Sequence, residues 1–81
     1  MMTTVMNMAY DRIRELREDH DFRQVDIAKR LGMSQTGYSK YETGENDIPT
    51  SILIALADIY GVSTDYILNR TDNPEPYAKR N

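Results

Sequence analysis

The sequence lacks the residues that most often build reactive or metal-binding sites. Its 81 residues contain no cysteine and one histidine, His20, so a disulfide and a thiolate metal site are excluded and no second imidazole is available. It also has no glycine-rich phosphate loop and no nucleophile paired with a base. We therefore predict that the protein is not an enzyme, has no catalytic residue and binds neither a metal nor a cofactor.

Long apolar segments are absent as well. No stretch approaches the roughly 20 apolar residues of a membrane span, and residues 1–8 lack the basic start and apolar run of a signal peptide. This predicts a soluble, cytoplasmic protein with no membrane partner. With 40% hydrophobic residues, the chain can bury one small core but is too short for two domains.

Positive charge is scarce, which bears on any nucleic-acid function. Asp and Glu number 13 against 10 for Lys and Arg, which gives a net charge of −3. Within residues 24–42, however, the three cations Lys29, Arg30 and Lys40 outnumber the acids Asp26 and Glu42. An excess so small predicts modest non-specific affinity for DNA, because neutralised phosphates supply the salt-dependent part of that affinity.

Residues 24–42 carry the clearest functional pattern, which is two short helices joined by a tight turn. Apolar Ile27, Ala28 and Leu31 share one side of the first helix, and Gly32 follows its end, where a left-handed backbone is needed. Ser34 suits the N-cap of the second helix. In a helix-turn-helix the second helix lies in the major groove, so this pattern predicts sequence-specific DNA binding.

Helical periodicity extends on both sides of this motif. It predicts five helices and no strand, with a first helix over about 9–19, a fourth that Pro49 opens and Gly61 ends, and a short fifth capped by Ser63. Tyr38 and Tyr41 should face the core with their hydroxyls at the surface. We predict a flexible segment over 1–8, a helix-turn-helix domain over 9–68 and a flexible tail over 69–81.

Five features of the chain occur together in a characteristic order and spacing. They are Gln24 and four segments, IRELRED at 13–19, IAKRLGMS at 27–34, YSKYETGE at 38–45 and LADIYGVSTDYIL at 56–68. This arrangement resembles the Cro/C1-type helix-turn-helix family of phage repressors and small bacterial regulators, also called the XRE family. The resemblance implies an all-α, compact five-helix domain like that of the lambda repressor, acting as a transcription regulator and most simply as a repressor.

The resemblance also implies roles for individual residues. Gln24 would bind a phosphate and support the recognition helix, Gln35 would read a base edge, and Arg17 and Glu42 would form a buried ion pair. A glutamine amide can pair with N6 and N7 of adenine. The alternative for this helix face is an ordinary solvated surface. The predicted DNA-binding residues are Gln24, Ser34, Gln35, Thr36, Ser39, Lys40 and Thr43.

The sequence departs from the family pattern in three places. Arg23 stands where a capping Thr or Ser is usual, Gly37 lies inside the recognition helix at a cost of about 1 kcal/mol relative to Ala, and Glu45 and Asp47 occupy a loop that often carries cations. The cap is expected to be lost at Arg23. Gly37 indicates either a marginal helix or a close approach to its backbone.

Apolar residues on the fourth helix raise the question of partners. Ile52, Ala55 and Ile59 are predicted to lie opposite the core-facing stripe, which favours a homodimer that binds a palindromic operator in double-stranded DNA. The alternative is scattered surface aliphatics, which are normal. A second class of function is a protein-interaction module, such as an antitoxin or adaptor, that uses the fourth and fifth helices.

Overall fold

A computed structural model describes residues 10–77, and these fold into five helices. They are α1 (Asp11–Asp19), α2 (Gln24–Leu31), α3 (Gln35–Thr43), α4 (Thr50–Tyr60) and α5 (Thr64–Ile67). This confirms the predicted all-α, five-helix architecture. Residues 1–8, predicted to be flexible, lie outside the described residues, as do residues 78–81 of the predicted tail.

Local sequence signals determine most helix ends. Ser34 and Ser63 each accept a hydrogen bond from the backbone N–H three residues on, at 3.0 Å, as N-caps do. Gly32 and Gly61 follow α2 and α4 with φ of 70° and 66°, a conformation that strains other residues. Pro49 is the N-cap of α4 rather than its first residue, one position before the predicted place.

The core is built from one apolar stripe of each helix. Ile13, Ile27, Leu56 and Ile67 come from α1, α2, α4 and α5 and are fully buried. Tyr38 from α3 is also fully buried, and its ring meets that of Tyr41 edge to face. The prediction that Tyr38 keeps its hydroxyl at the surface is wrong, because that hydroxyl has a buried hydrogen-bond acceptor.

Helix α4 does not present Ile52, Ala55 and Ile59 as a face opposite the core. All three are half-buried, and Ile52 and Ile59 pack against the core cluster. The most exposed apolar residue of the helix is Ile54, at 50%. The predicted placement is corrected because α4 is apolar almost all round, and such a helix is covered on most sides rather than along one stripe.

The segment after α5 returns to the helices and makes defined contacts. The guanidinium of Arg12 donates to the carbonyls of Tyr66 and Thr71 at 2.9 and 2.6 Å, and to the carboxylate of Asp72 at 2.7 Å. The backbone N–H of Ser63 donates to the carbonyl of Pro74 at 3.0 Å. Residues 71–74 therefore bridge α1 and the start of α5, which their composition did not predict.

Within the described part of the chain, no helix has both the length and the apolar character needed to cross a membrane.

Candidate nucleic-acid interface

Helices α2 and α3 form the predicted helix-turn-helix. The turn between them closes with hydrogen bonds from the N–H of Gly32 to the carbonyl of Lys29, at 3.1 Å, and from the N–H of Met33 to that of Ala28, at 2.9 Å. Gly32 has the left-handed backbone that the sharp change of direction requires. The turn thus fixes the start of α3 relative to α2.

One face of α3 presents polar groups to solvent. Ser34, Gln35, Thr36 and Thr43 are exposed, whereas Ser39 and Lys40 are half-buried. The Ser39 hydroxyl donates to the carbonyl of Thr36 at 2.9 Å, and the Thr43 hydroxyl donates to the carbonyl of Lys40 at 3.2 Å. Their oxygens keep lone pairs and can accept bonds. This face therefore combines an amide, hydroxyls and one ammonium group, the mixture that reads base edges and phosphates.

Gly37 in α3 is explained by its surroundings. A Cβ at this position would lie 3.1 Å from the Ser34 hydroxyl oxygen and 3.2 Å from the Met33 methyl carbon. The first contact exists because that hydroxyl caps the helix by accepting from the Gly37 N–H. Of the two explanations for this glycine, the structure supports a close approach to the backbone.

Behind the polar face of α3, Arg17 and Glu42 join α1 to α3. Arg17 Nε donates to Glu42 Oε2 at 2.7 Å, and Arg17 Nη2 donates to Glu42 Oε1 at 3.1 Å. The side chains are 12% and 4% exposed. Arg17 Nη1 donates to the Phe22 carbonyl at 2.9 Å. The guanidinium thus holds both the carboxylate and the turn that leads into α2.

The Glu42 carboxylate also accepts from Tyr38 and Gln24. The Tyr38 hydroxyl donates to Oε2 at 2.5 Å, and Gln24 Nε2 donates to Oε1 at 3.0 Å. Burial raises the pKa of Glu42, but the hydrogen bonds from Arg17, Tyr38 and Gln24 together outweigh it and hold the pKa below its usual range. The carboxylate is therefore ionised at neutral pH. Burial and the bond to this anion raise the pKa of Tyr38 far above its usual value.

Gln24 connects this network to the exposed helix face. Its side chain is half-buried, and its Oε1 accepts from Gln35 Nε2 at 3.4 Å, the long end of hydrogen-bond distances. A groove of about 380 Å³ runs beside Gln24, Glu42 and Thr43. Predicted site residues from α1, α2 and α3 therefore meet in one place.

The charged groups around α3 are partly compensated. Lys40 Nζ lies 4.0 Å from a Glu45 carboxylate oxygen, with the two side chains 42% and 64% exposed, and such surface pairs contribute little. Arg23 Nη2 is 3.1 Å from Asp26, whose carboxylate also accepts from the Arg23 N–H at 2.8 Å. The expected loss of the cap at Arg23 is thus offset, because Asp26 binds the backbone N–H at the start of α2.

The acidic loop after α3 is tied to the beginning of the described chain. The Tyr10 hydroxyl donates to Asp47 at 3.0 Å. Burial raises the pKa of Tyr10, and this hydrogen bond raises it further. Asp47 is thereby bound to Tyr10, whereas Glu45 lies close to Lys40. Among residues 10–77, no three histidine or acidic side chains converge in a way that suits a metal ion.

Tyr38 was not predicted to be a polar member of the network. Tyr38 and Glu42 are four residues apart on α3, so they lie on the same helix face. That spacing was the available signal. The predicted set Ile52, Ala55 and Ile59 lies on α4, outside this network.

Comparison with known proteins assigns the class to which the chain belongs. A family model described as "Helix-turn-helix" matches residues 13–67. The chain therefore belongs to this helix-turn-helix family, which confirms the resemblance drawn from the sequence.

Three relatives give the range of similarity. The chain is 37% identical over 73 residues to the uncharacterized HTH-type transcriptional regulator YobD of Bacillus subtilis (strain 168), covering 90% of this chain and 65% of that protein. It is 33% identical over 61 residues to the HTH-type transcriptional regulator ImmR of the same organism, covering 75% of this chain and 48% of that protein.

The third relative is named for a different role. The chain is 31% identical over 51 residues to Antitoxin PezA of Streptococcus pneumoniae serotype 4, covering 63% of this chain and 32% of that protein. The chain thus spans only a part of each of these three relatives, at most about two thirds of their length.

Proposed function

We propose that the protein is a sequence-specific DNA-binding transcription regulator that acts as a repressor by occupying a short operator. The observation that carries this proposal is the exposed polar face of α3, held by the turn at Gly32 and by the ion pair of Arg17 and Glu42. In this geometry α3 enters the major groove while the start of α2 lies against the phosphates. The similarity to HTH-type transcriptional regulators supports the same function.

The proposed contacts divide into readers of bases and holders of phosphate. Gln35 reads adenine, Thr36 and Ser39 lie within the groove, and Lys40 contacts a guanine or a phosphate. Gln24, the backbone at Ser34 and the hydroxyl of Thr43 hold the phosphates on either side. The Gln24 amide has one hydrogen on Glu42 and a second for a phosphate oxygen.

Selection of bound sites from a random duplex library tests this proposal. We expect the wild type to enrich one sequence, and Gln35→Ala to lose about 1–3 kcal/mol on it while random DNA is bound as before. Glu15→Gln, an exposed change on α1 outside the proposed DNA-binding and dimer surfaces, is the control and should bind like the wild type. Enrichment of no sequence, or an equal loss on specific and random DNA, contradicts the proposal.

We further propose that two copies pair through the outer side of α4 and bind a palindrome. The interface would use the exposed parts of Ile52, Ala55 and Ile59, with Ile54 as its most exposed member. Two recognition helices in such a dimer lie about 34 Å apart, one turn of DNA. Burial of this apolar surface contributes about 25 cal/mol per Å².

A protein-interaction module is the second candidate function. The similarity to an antitoxin and the half-exposed Ile54 favour it. In this case α4 and α5 contact a different protein, and DNA binding accompanies that contact or is absent. Binding to random duplex DNA that strengthens as salt falls supports the regulator, whereas weak, salt-independent DNA binding supports the interaction module.

A further inference from the structure

A chain of hydrogen bonds leads from the buried Glu42 carboxylate to the exposed amide of Gln35. At Glu42 Oε2 the donors are Arg17 Nε, at 2.7 Å, and the Tyr38 hydroxyl, at 2.5 Å. At Oε1 they are Arg17 Nη2, at 3.1 Å, and Gln24 Nε2, at 3.0 Å. Gln24 Oε1 then accepts from Gln35 Nε2 at 3.4 Å.

The direction of this chain follows from the chemistry of its buried end. An ionised carboxylate has no proton to donate, so the atom of Gln24 that faces Glu42 has to be Nε2. Gln24 Oε1 then points outward and can only accept. The Gln35 atom that meets it has to be Nε2, which uses one of its two hydrogens in this bond. The free groups of Gln35 are thus the acceptor Oε1 and one N–H.

One acceptor beside one donor fits adenine and does not fit guanine. In the major groove adenine offers the N6 amino donor and the N7 acceptor, whereas guanine offers two acceptors, O6 and N7. A glutamine pairs with guanine at both positions only if both Nε2 hydrogens are free. An amide fixed by Gln24 has only one hydrogen left.

We propose that Glu42, which does not reach the bases, is a positioning residue that sets the preference of Gln35 for adenine over guanine by fixing the direction of the Gln24 amide. This inference rests on the proposed function, because it requires that Gln35 meets a base. It concerns which base is read, not whether DNA is bound.

Glu42→Gln tests the proposal because it can reverse the chain, at the loss of one bond, that from Arg17 Nη2, which then faces an amide donor. The two shortest bonds converge on Oε2, so the new amide keeps its oxygen there and places its nitrogen where Oε1 was. That nitrogen donates to Gln24 Oε1, Gln24 Nε2 turns outward, and Gln35 Oε1 accepts from it. Gln35 is then left with two donors, which suit guanine.

The experiment is a site selection from a random duplex library with the wild type and four variants. Gln35→Ala identifies the base pair that Gln35 reads, since the preference there is lost. At that base pair we expect the wild type to prefer adenine by about tenfold or more. We expect Glu42→Gln to prefer guanine there. Glu15→Gln removes the same negative charge at an exposed position and should behave like the wild type.

Gln24→Met is the fourth variant and leaves the pair of Arg17 and Glu42 in place. It removes the intermediate amide, so we expect the adenine and guanine preferences at that base pair to become nearly equal. Melting followed by circular dichroism shows whether each variant is folded at the temperature of the selection. If Glu42→Gln is unfolded, the base preference of Gln24→Met decides whether the proposal stands.

A measurement without DNA tests the same chain in the free protein. In isotope-labelled wild type, we expect a through-hydrogen-bond coupling from Gln24 Nε2 to the Glu42 carboxylate carbon, and in Glu42→Gln a coupling from the new amide nitrogen to the Gln24 carbonyl carbon. Absence of the first coupling in the wild type overturns the proposal.

The outcomes separate this proposal from the proposed function. A folded Glu42→Gln variant or a Gln24→Met variant that keeps the wild-type preference for adenine overturns the role of Glu42, while DNA reading by Gln35 stands. A wild type that prefers guanine at the base pair read by Gln35 does the same. A wild type that enriches no sequence overturns the proposed function, and this inference with it.

Discussion

Removal of the Arg17 guanidinium is the most severe test of how the helices are held together. Arg17→Ala takes away three hydrogen bonds, two to Glu42 and one to the Phe22 carbonyl. It leaves the Glu42 carboxylate, 4% exposed, with only Tyr38 and Gln24 as donors. Loss of one partner of a buried pair costs about 3–5 kcal/mol, because the remaining charge stays desolvated.

That cost is large for a chain of this size. Domains are stable by about 5–15 kcal/mol in total, so Arg17→Ala removes a major share. For 60–100 residues each kcal/mol lowers the melting temperature by about 4–8 °C, which predicts a fall of more than about 12 °C. The proper assay is thermal or urea unfolding of Arg17→Ala, Glu42→Ala and the double variant.

The pH dependence gives an independent check on the same pair. In the wild type the folded-state pKa of Glu42 lies below its usual value of 4.5, so its stabilisation is present above pH 4.5 and is lost as pH falls through the folded pKa. In Arg17→Ala burial dominates and the pKa of Glu42 rises. The penalty of the variant should therefore shrink as pH is lowered from 7 toward 4.

Additivity would refute this reasoning. If the pair is coupled, the double variant is destabilised by less than the sum of the two single variants. The reason is that the double variant contains neither charged group, so no lone charge stays buried. Small, additive losses that do not change with pH would mean that the bidentate contact contributes little in solution.

Four further predictions follow from individual contacts. Lys40→Ala should weaken DNA binding and lower the salt slope by about 1 if its partner is a phosphate, and an unchanged slope indicates a base contact. Gly37→Ala should not yield the full gain of about 1 kcal/mol in unfolding free energy, because the new methyl crowds the Ser34 cap. Arg12→Ala should speed amide exchange at Ser63 by freeing the segment that accepts its N–H. Ile54→Lys should keep the helical content and give a monomer in sedimentation, and a wild type that is already monomeric at tens of micromolar contradicts the proposed dimer.

The fold was predictable to the extent that local signals decide it. Ser34 and Ser63 as caps, and Gly32 and Gly61 as helix ends, act through their own backbone neighbours, so a single sequence reveals them. Because Ser34 fixes the start of α3, the residues on its exposed face followed directly. Groove contact by those residues remains a prediction.

Contacts between segments far apart in the sequence could not be predicted from such local signals. The Glu42 carboxylate that Tyr38 meets also pairs with Arg17, which comes from α1, 25 positions earlier in the chain. Arg12 meets Thr71 across 59 positions, which composition cannot indicate. On α4, apolar residues on nearly every side left no periodicity from which to distinguish the core face, so the exposure of Ile52 was misjudged.

The buried hydroxyl of Tyr38 also makes the protein an optical reporter of its own packing. The sequence has six tyrosines and no tryptophan, so its ultraviolet emission comes from phenol rings. A phenol that donates to a carboxylate emits weakly, since its excited state readily passes the proton to that acceptor. We therefore expect Tyr38 to emit weakly while its hydroxyl donates to Glu42, and to brighten when unfolding breaks that bond. Emission can report the loss of this packing without an added dye.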